Sequence, residues 1–380
     1  MPSLASQCQH SASTRLVRAG IFSSAATFRE IEGRIAALPT ARERGEAFEV
    51  FAEDYLATQP AIQAAEVWPF ELMPHSLKAQ LRLPHSSDQG IDGVVKTRTG
   101  ELHAYQVKFR TGRARPTWTE ISTFFGLADR ADQRIVFTNA PDLGSTITER
   151  RDFYCVSSAE LDALSLEALD QLLARIRGAP FKVHRDDPKL HQQKAIDDLV
   201  PVLERDGRAT ALMACGTGKT RIGLWIAERL DARRIVVLVP SLALMRQTLH
   251  EWLRETRWTD VDAIAVCSDP TVAAKTDEVV LRRNEVNFPV MTNPAAVGRF
   301  LQRETPRKIV FSTYQSAPVL ADATRHPFDF GVFDEAHRTA GRDGKLFSYA
   351  LTDAKLPIER RLFMTATPRH YDIRRRDKVG

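Results

Sequence analysis

The sequence predicts an α/β protein of two domains, and three observations carry that prediction. In the second half, near-continuous apolar runs at 235–239, 263–266, 308–311 and 330–333 alternate with helical segments, the pattern of parallel strands buried on both faces. Ahead of them lies Met213-Ala214-Cys215-Gly216-Thr217-Gly218-Lys219-Thr220, and the last run closes on Asp334-Glu335-Ala336-His337. In the first half, two helical segments precede a strand-like stretch that opens at Gly90-Ile91-Asp92-Gly93.

A chain of 380 residues has room for two cores of ordinary size. With 43% hydrophobic and 27% charged residues it has a globular composition, neither disordered nor fibrous. A net charge of +5 leans towards a polyanionic partner only weakly. Cys8, Cys155, Cys215 and Cys267 are scattered, without zinc-ligand spacing or a disulfide framework, so a reducing, cytoplasmic setting is expected. No uncharged apolar run reaches the length of a membrane span, so no membrane partner is expected. Residues 1–27 lack the apolar block of a secretory signal and are expected to form a loose tail.

Apolar residues recur at helical spacing over 28–38 and 46–56, where Phe48, Phe51, Tyr55 and Leu56 make one face and the Pro60 region ends the second helix. Val94-Val95 and 102–107 flank Thr99-Gly100 and predict a hairpin. A helix is expected over 118–127 and strands over 134–138 and 153–156. Ser157 or Ser158 then caps a helix carrying Leu161, Leu164, Leu169 and Leu173. Residues 178–188, polar and bracketed by prolines, read as a linker.

Gly216-Thr217-Gly218-Lys219-Thr220 is the core of a nucleotide-binding loop. Its glycines let backbone amides face phosphates, and the following helix presents its N-terminus to negative charge. Lys219 would reach the terminal phosphates and the Thr220 hydroxyl would ligate magnesium. Asp334 would hold the same ion and Glu335 would orient the attacking water. The competing reading of Asp334-Glu335, an exposed acidic strand end, loses weight once the phosphate loop precedes it in order. Residues 185–371 resemble the first RecA-like domain of superfamily 2 helicases of the DEAH-box, ResIII kind. Gln192 matches that family's adenine-reading glutamine. Val239-Pro240-Ser241 and Phe311-Ser312-Thr313-Tyr314-Gln315 resemble its strand-tracking segments, and Met364-Thr365-Ala366-Thr367-Pro368 its coupling motif. The resemblance implies ATP binding at Gln192, Gly216, Thr217, Gly218, Lys219, Thr220 and Asp334. It assigns coupling of hydrolysis to movement to His337, Thr365 and Thr367. The family hydrolyses ATP between two RecA-like domains. The chain stops soon after Pro368, so a longer protein with a second such domain is expected, and poor ATP turnover by this part of it.

In the first half, Asp92 opens one hairpin strand, while Gln106 and Lys108 sit two apart on the next and project from one face. Asp92 and Gln106 could hold magnesium (Mg2+), with Lys108 steadying developing charge, the set that phosphodiester hydrolysis needs. Because Gln106 is neutral, a further carboxylate is wanted. Glu49 is the first candidate, with Glu46, Glu53 and Asp88 behind it. Taken alone, Asp followed by Gln-x-Lys is also the pattern of a solvated strand face. Residues 28–157 resemble the Mrr-like restriction endonucleases, a branch of the PD-(D/E)xK fold with Gly-x-x-Phe-Glu on a helix, Asp before a hairpin, then Gln-x-Lys. Arg110, Arg113 and Arg115 beside Trp118 read equally as phosphate contacts or as a soluble basic loop.

The expected organisation is thus a tail at 1–27, an Mrr-like nuclease domain at 28–177, a linker at 178–188, a RecA-like ATPase domain at 189–372 and the start of a linker at 373–380. Nuclease followed by motor resembles the N-terminal part of the type ISP restriction-modification enzymes. That implies double-stranded DNA as partner, ATP and magnesium as cofactors, and a methyltransferase and target-recognition domain elsewhere. No methyltransferase motif occurs in these residues; Asn293-Pro294-Ala295-Ala296 lacks a stacking aromatic. A defence or repair helicase without a methyltransferase, and a DNA-gripping module with an inert nuclease fold, are the alternatives.

Overall fold

The computed structural model describes residues 10–83, 90–148, 152–180, 185–214, 216–267, 286–335 and 349–366. The chain divides into two compact units, residues 1–185 with 273–290, and residues 186–272 with 291–380. The division between Arg185 and Asp186 falls inside the expected linker. That residues 286–290 belong to the first unit was not legible in the sequence. Within that unit Val286 and Phe288 are buried and Asn287 Nδ2 donates to Tyr55 Oη at 3.2 Å.

The first unit runs α1 (Ser13–Arg18), α2 (Phe28–Ala36), α3 (Ala41–Thr58), β1 (Ala64–Pro69), α4 (His75–Gln80), β2 (Gly93–Thr97), β3 (Leu102–Lys108), α5 (Trp118–Leu127), β4 (Gln133–Thr138), α6 (Ser145–Thr148), β5 (Phe153–Val156), α7 (Ser158–Asp162) and α8 (Leu166–Ile176). Its strands lie in the order β1-β2-β3-β4-β5. β1, β2 and β3 pair antiparallel, whereas β3, β4 and β5 run parallel. Alternating strand residues sort to the two faces. Val95, Tyr105, Val107, Phe137 and Val156 pack under the first three helices and α8, while Val94, Ala104, Val136 and Cys155 pack under α4 and α5. Phe48 anchors the first of these cores, its ring 5.3 Å from Phe137, 5.4 Å from Phe109 and 6.3 Å from Phe51.

Two local expectations need correcting. Residues 10–27 are not a loose tail, because α1 and the turn after it bury Leu16, Ile21, Phe22 and Ala25 in the same core. The apolar side chains there are too few to show periodicity yet enough to fill a gap. The leucine-rich segment after Ser157 is two helices rather than one. Ser157 caps α7 in a capping box with Glu160, and Ser165 accepts from the Ala168 amide and starts α8. A serine that satisfies a new set of orphan amides restarts the helix in a new direction.

The second unit runs α9 (Leu190–Asp206), β6 (Arg208–Leu212), α10 (Lys219–Arg229), β7 (Arg234–Val239), α11 (Leu242–Glu255), β8 (Val261–Val266), β9 (Val290–Met291), α12 (Pro294–Leu301), β10 (Arg307–Thr313), α13 (Ala317–Ala323), β11 (Phe328–Phe333) and β12 (Ile358–Thr365). The strand order is β6-β12-β11-β7-β10-β8-β9, and every pair from β6 to β8 is parallel. The four apolar runs became β7, β8, β10 and β11. β6 and β12 were missed in the sequence, the first because it alternates exposed and buried residues, the second because Arg360-Arg361 interrupts its apolar run. Arg361 is buried, yet its guanidinium is occupied by the Ile358 carbonyl at 2.7 Å and by Asp353 at 2.6 Å. No helix among the described residues is long and apolar enough to cross a membrane.

Phe48→Ala should destabilise the first unit by about 3–5 kcal/mol, since a buried ring leaves a cavity its neighbours cannot close. A urea titration of the full chain, followed by the far-ultraviolet signal, should show an earlier transition for this variant.

Candidate active sites

In the first unit, the site is built on the hairpin of β2 and β3. Gly93 pairs with Tyr105, and a Cβ there would collide with the Tyr105 hydroxyl and the Trp68 carbonyl, so only glycine fits after Asp92. Asp92 N–H donates to the Tyr105 carbonyl at 3.0 Å, and Asp92 Oδ2 accepts from the Val107 amide at 2.5 Å. The carboxylate is thereby fixed at the end of β3 that carries Gln106. Gln106 is 2% exposed and its Oε1 has no hydrogen-bond partner among the described residues. Leaving a buried amide oxygen unpaired costs about 1–3 kcal/mol, so an absent donor or cation is the natural complement. Lys108, half-buried, leaves β3 on the same face as Gln106, two residues on.

The loop beyond Lys108 is held rigidly. Asn139 accepts from the Arg110 amide at 2.6 Å and donates to the Arg110 carbonyl at 2.8 Å and to Glu32 at 2.7 Å. Arg113 pairs with Glu32 at 2.7 Å and Asp162 at 2.6 Å, Arg110 with Glu120 at 2.5 Å, and Arg115 with Asp142 at 2.6 Å. The three arginines therefore tie this loop to α2, α5, α7 and the segment before α6 rather than standing as a basic patch.

The carboxylates of α3 separate. Glu49 Oε2 lies 3.3 Å from His10 Nε2, so the structure turns this side chain towards residue 10. Glu46 is taken by Arg15 at 2.7 Å and Arg42 at 2.8 Å. Glu53, one helical turn beyond Glu49, is 4% exposed. Burial pushes its pKa well above the usual carboxylate range, and the charges of Asp54, Glu49, Asp92 and Glu71 push it further. Asp88 lies outside the described residues. Among those described, no three His, Cys, Asp or Glu side chains gather closely enough to hold a metal on their own. The Gln106 amide oxygen supplies a donor of another type.

In the second unit, the parallel register brings three segments to one edge of the sheet. The phosphate loop follows β6, the acidic pair follows β11, and Thr365 ends β12, where its carbonyl accepts from the Met213 amide at 3.0 Å. Gly216 (φ +79°) and Gly218 (φ +80°) have left-handed backbone that only glycine adopts without strain. Gln192 Oε1 accepts from the Lys189 amide at 2.8 Å and its Nε2 donates to the Thr217 carbonyl at 3.0 Å, clamping α9 to the loop. Trp252 Nε1 donates to the Thr220 carbonyl at 2.8 Å and fixes the first turn of α10. Lys219 Nζ is 3.0 Å from Glu335 Oε1. Tyr314 donates to the Asp334 carbonyl at 2.7 Å, and burial first, then the Asp334 and Glu335 charges, raises its pKa so that it stays a donor. This link from the 311–315 segment to the acidic pair was not foreseen; a buried tyrosine inside a motif was its only sequence signal. Cys215, His337 and Thr367 lie outside the described residues.

An antiparallel hairpin leading into parallel strands, with Asp, Gln and Lys at its end, and a phosphate loop on a parallel sheet define a restriction-endonuclease-type domain joined to a RecA-like helicase motor domain. The two domains are an Mrr-like restriction endonuclease and a ResIII helicase. Residues 57–170 match the family described as a restriction endonuclease, and residues 185–370 the family of the Type III restriction enzyme res subunit. A probable helicase, A859L, of African swine fever virus (isolate Tick/South Africa/Pretoriuskop Pr4/1996) is 36% identical over 185 residues, 48% of this chain and 20% of that protein. Its counterpart in isolate Tick/Malawi/Lil 20-1/1983 is 34% identical over 199 residues, 51% of this chain and 21% of that protein. The ATP-dependent Type ISP restriction-modification enzyme LlaBIII, solved bound to DNA, shares the fold over 90% of this chain and 22% of its own, with a TM-score of 0.72 and 24% identity. The chain thus spans about a fifth of the length of these relatives.

The Lys219–Glu335 pair occupies both groups before any phosphate arrives. Glu335→Gln should therefore bind a fluorescent ATP analogue more tightly than the unaltered chain, by about tenfold or less, an equilibrium titration being the measure.

Proposed function

We propose that this chain is the nuclease-and-motor portion of an ATP-driven DNA-cleaving enzyme of the restriction type, acting on double-stranded DNA in the cytoplasm. The observation that carries the motor half is the meeting of Lys219 with Glu335 at the strand-end edge of a parallel sheet. On nucleotide binding the lysine exchanges this carboxylate for the terminal phosphates, with the glycine-loop amides and the start of α10 facing the same charge. Released from Lys219, Glu335 is free to orient a water for attack. The Thr220 hydroxyl and Asp334 are the groups that would hold magnesium, which supplies charge neutralisation on the phosphates. Gln192, already bonded to Thr217, is positioned to report adenine binding to the loop. Thr365, whose carbonyl accepts from the Met213 amide, is a coupling residue together with His337 and Thr367.

For the nuclease half, the residues fit a hard divalent cation. Asp92 offers an oriented carboxylate and Gln106 a buried oxygen that lacks a donor. A bound cation would supply Lewis acidity to the scissile phosphate. Lys108, on the same face, would stabilise the charge that develops on the phosphate oxygens. Glu49 is a candidate for a further carboxylate, once it leaves His10. The four scattered cysteines, without disulfide-framework spacing, favour a reducing compartment. A second RecA-like domain, and a methyltransferase with target recognition, would be supplied by other parts of the protein.

Lys219→Ala should abolish ATP binding and leave the melting transition in place; unchanged ATP affinity would remove the motor assignment. Supercoiled plasmid in magnesium should be nicked by the unaltered chain and not by Lys108→Ala or Asp92→Ala. Equal nicking by all three would place the nuclease site elsewhere.

A further inference from the structure

Lys78, on α4, is 5% exposed, a burial that lysine rarely accepts without an acidic partner. Among the described residues no carboxylate pairs with it. Its Nζ lies instead over the Phe70 ring, 4.1 Å from the centroid. Such a contact is worth about 0.5–2 kcal/mol and leaves the three N–H donors without an acceptor. The arginines beyond Lys108, by contrast, are all answered by acids. The stem of Lys78 is enclosed while Nζ keeps a path to solvent, so the charge is held in one place and remains reachable.

Phe70 ties this amine to the hairpin site. Its amide donates to the Asp92 carbonyl at 2.8 Å, one step past the Pro69–Gly93 pair of β1 and β2. Its ring packs with Val94 and Ala104 in the core under α4 and α5. Gln106 and Lys108 follow Ala104 along β3 at two-residue steps and leave the strand on that same face. The Lys78 amine therefore stands on the side of the sheet that Gln106 and Lys108 use, over a residue bonded to Asp92. The Leu83 amide donates to the Lys78 carbonyl at 2.8 Å and fixes the backbone from which the side chain departs.

We propose that Lys78 is a DNA-binding residue of the nuclease domain, holding a backbone phosphate next to the one that meets Asp92, Gln106 and Lys108. The inference rests on the nuclease reading given above. Its ammonium, already set over Phe70, exchanges water for phosphate oxygens without the loss of side-chain freedom that an exposed lysine suffers. The contact supplies affinity and register, not sequence preference, because a phosphate carries no base information. A side chain that only filled the core would need the stem and not the charge.

The test is the rate of nicking of supercoiled plasmid in magnesium by the full chain, unaltered and as Lys78→Met and Lys78→Arg. Plasmid concentration is varied at each of several salt concentrations, so that KM, kcat and their salt dependence separate. Lys78→Met keeps the stem and removes the charge, so a packing role alone predicts no change. Lys78→Gln is the second variant should Lys78→Met fail to melt cooperatively. The expected result is a KM raised about tenfold in Lys78→Met with kcat little changed. The slope of log KM against log salt should become shallower by about one, the signature of a single lost phosphate contact. Lys78→Arg should stay close to the unaltered chain. A KM and a salt slope unchanged in Lys78→Met would overturn the role of Lys78 and leave the nuclease site standing. No nicking by the unaltered chain, or nicking kept in Lys108→Ala, would overturn both.

Discussion

Lys219 and Glu335 are 116 residues apart and touch because their strands run parallel. Everything the motor domain could do depends on that constraint. In a parallel sheet all strand ends of one polarity lie on one edge, and the loops that leave them are neighbours whatever their separation in sequence. β6 delivers the phosphate loop, β11 the acidic pair, and β12 Thr365, with β12 lying between the other two. The hydrogen bond from Met213 to Thr365 and the one from Tyr314 to Asp334 stitch these loops together through backbone carbonyls. Such bonds transmit a displacement of one loop to the next without a charged intermediary.

The nuclease domain solves the same problem with an antiparallel pair. A hairpin sets Asp92 opposite β3 through two backbone-anchored bonds, so the carboxylate cannot rotate away from the end of the strand. The remaining polar atoms are deliberately unequal. Asn139, Glu32, Arg113 and Asp162 answer one another completely and make the following loop rigid. Gln106 Oε1, one strand over from Asp92, is left unanswered among the described residues, as is Glu53 Oε1 on α3. Fully satisfied networks rigidify a fold, whereas unsatisfied buried groups cost stability and are kept where a ligand completes them.

The outlines were legible because they rest on local rules. Helical spacing located α2, α3 and α5, and alternation around Thr99-Gly100 located the hairpin. Motif order located the phosphate loop and the acidic pair. The misread parts share one cause, which is that their burial is decided by other segments. Leu16 and Phe22 look like a sparse tail until the core of α3 and β5 offers them a place. Ser165 competes with helix continuation, and packing of α8 on α3 favours the break. Arg361 interrupts an apolar run, yet carbonyls and Asp353 satisfy it inside. Arg110, Arg113 and Arg115, which the sequence leaves open between phosphate contacts and a soluble loop, meet acidic partners from up to 81 residues away.

By itself, then, the sequence determined the two domain types, their order, and the residues of the phosphate loop, the acidic pair and the Asp, Gln, Lys set, because each is a short string whose spacing carries its chemistry. Only the tertiary structure decided which charges are answered. The four acidic residues Glu46, Glu49, Glu53 and Asp54 are alike in sequence. Folding gives the first to arginines, the second to a histidine and the last to Arg175, and leaves Glu53 without a counter-charge. Spacing along one helix fixes the direction in which each carboxylate leaves it. Burial and long-range partners, which no local pattern encodes, fix what that carboxylate meets.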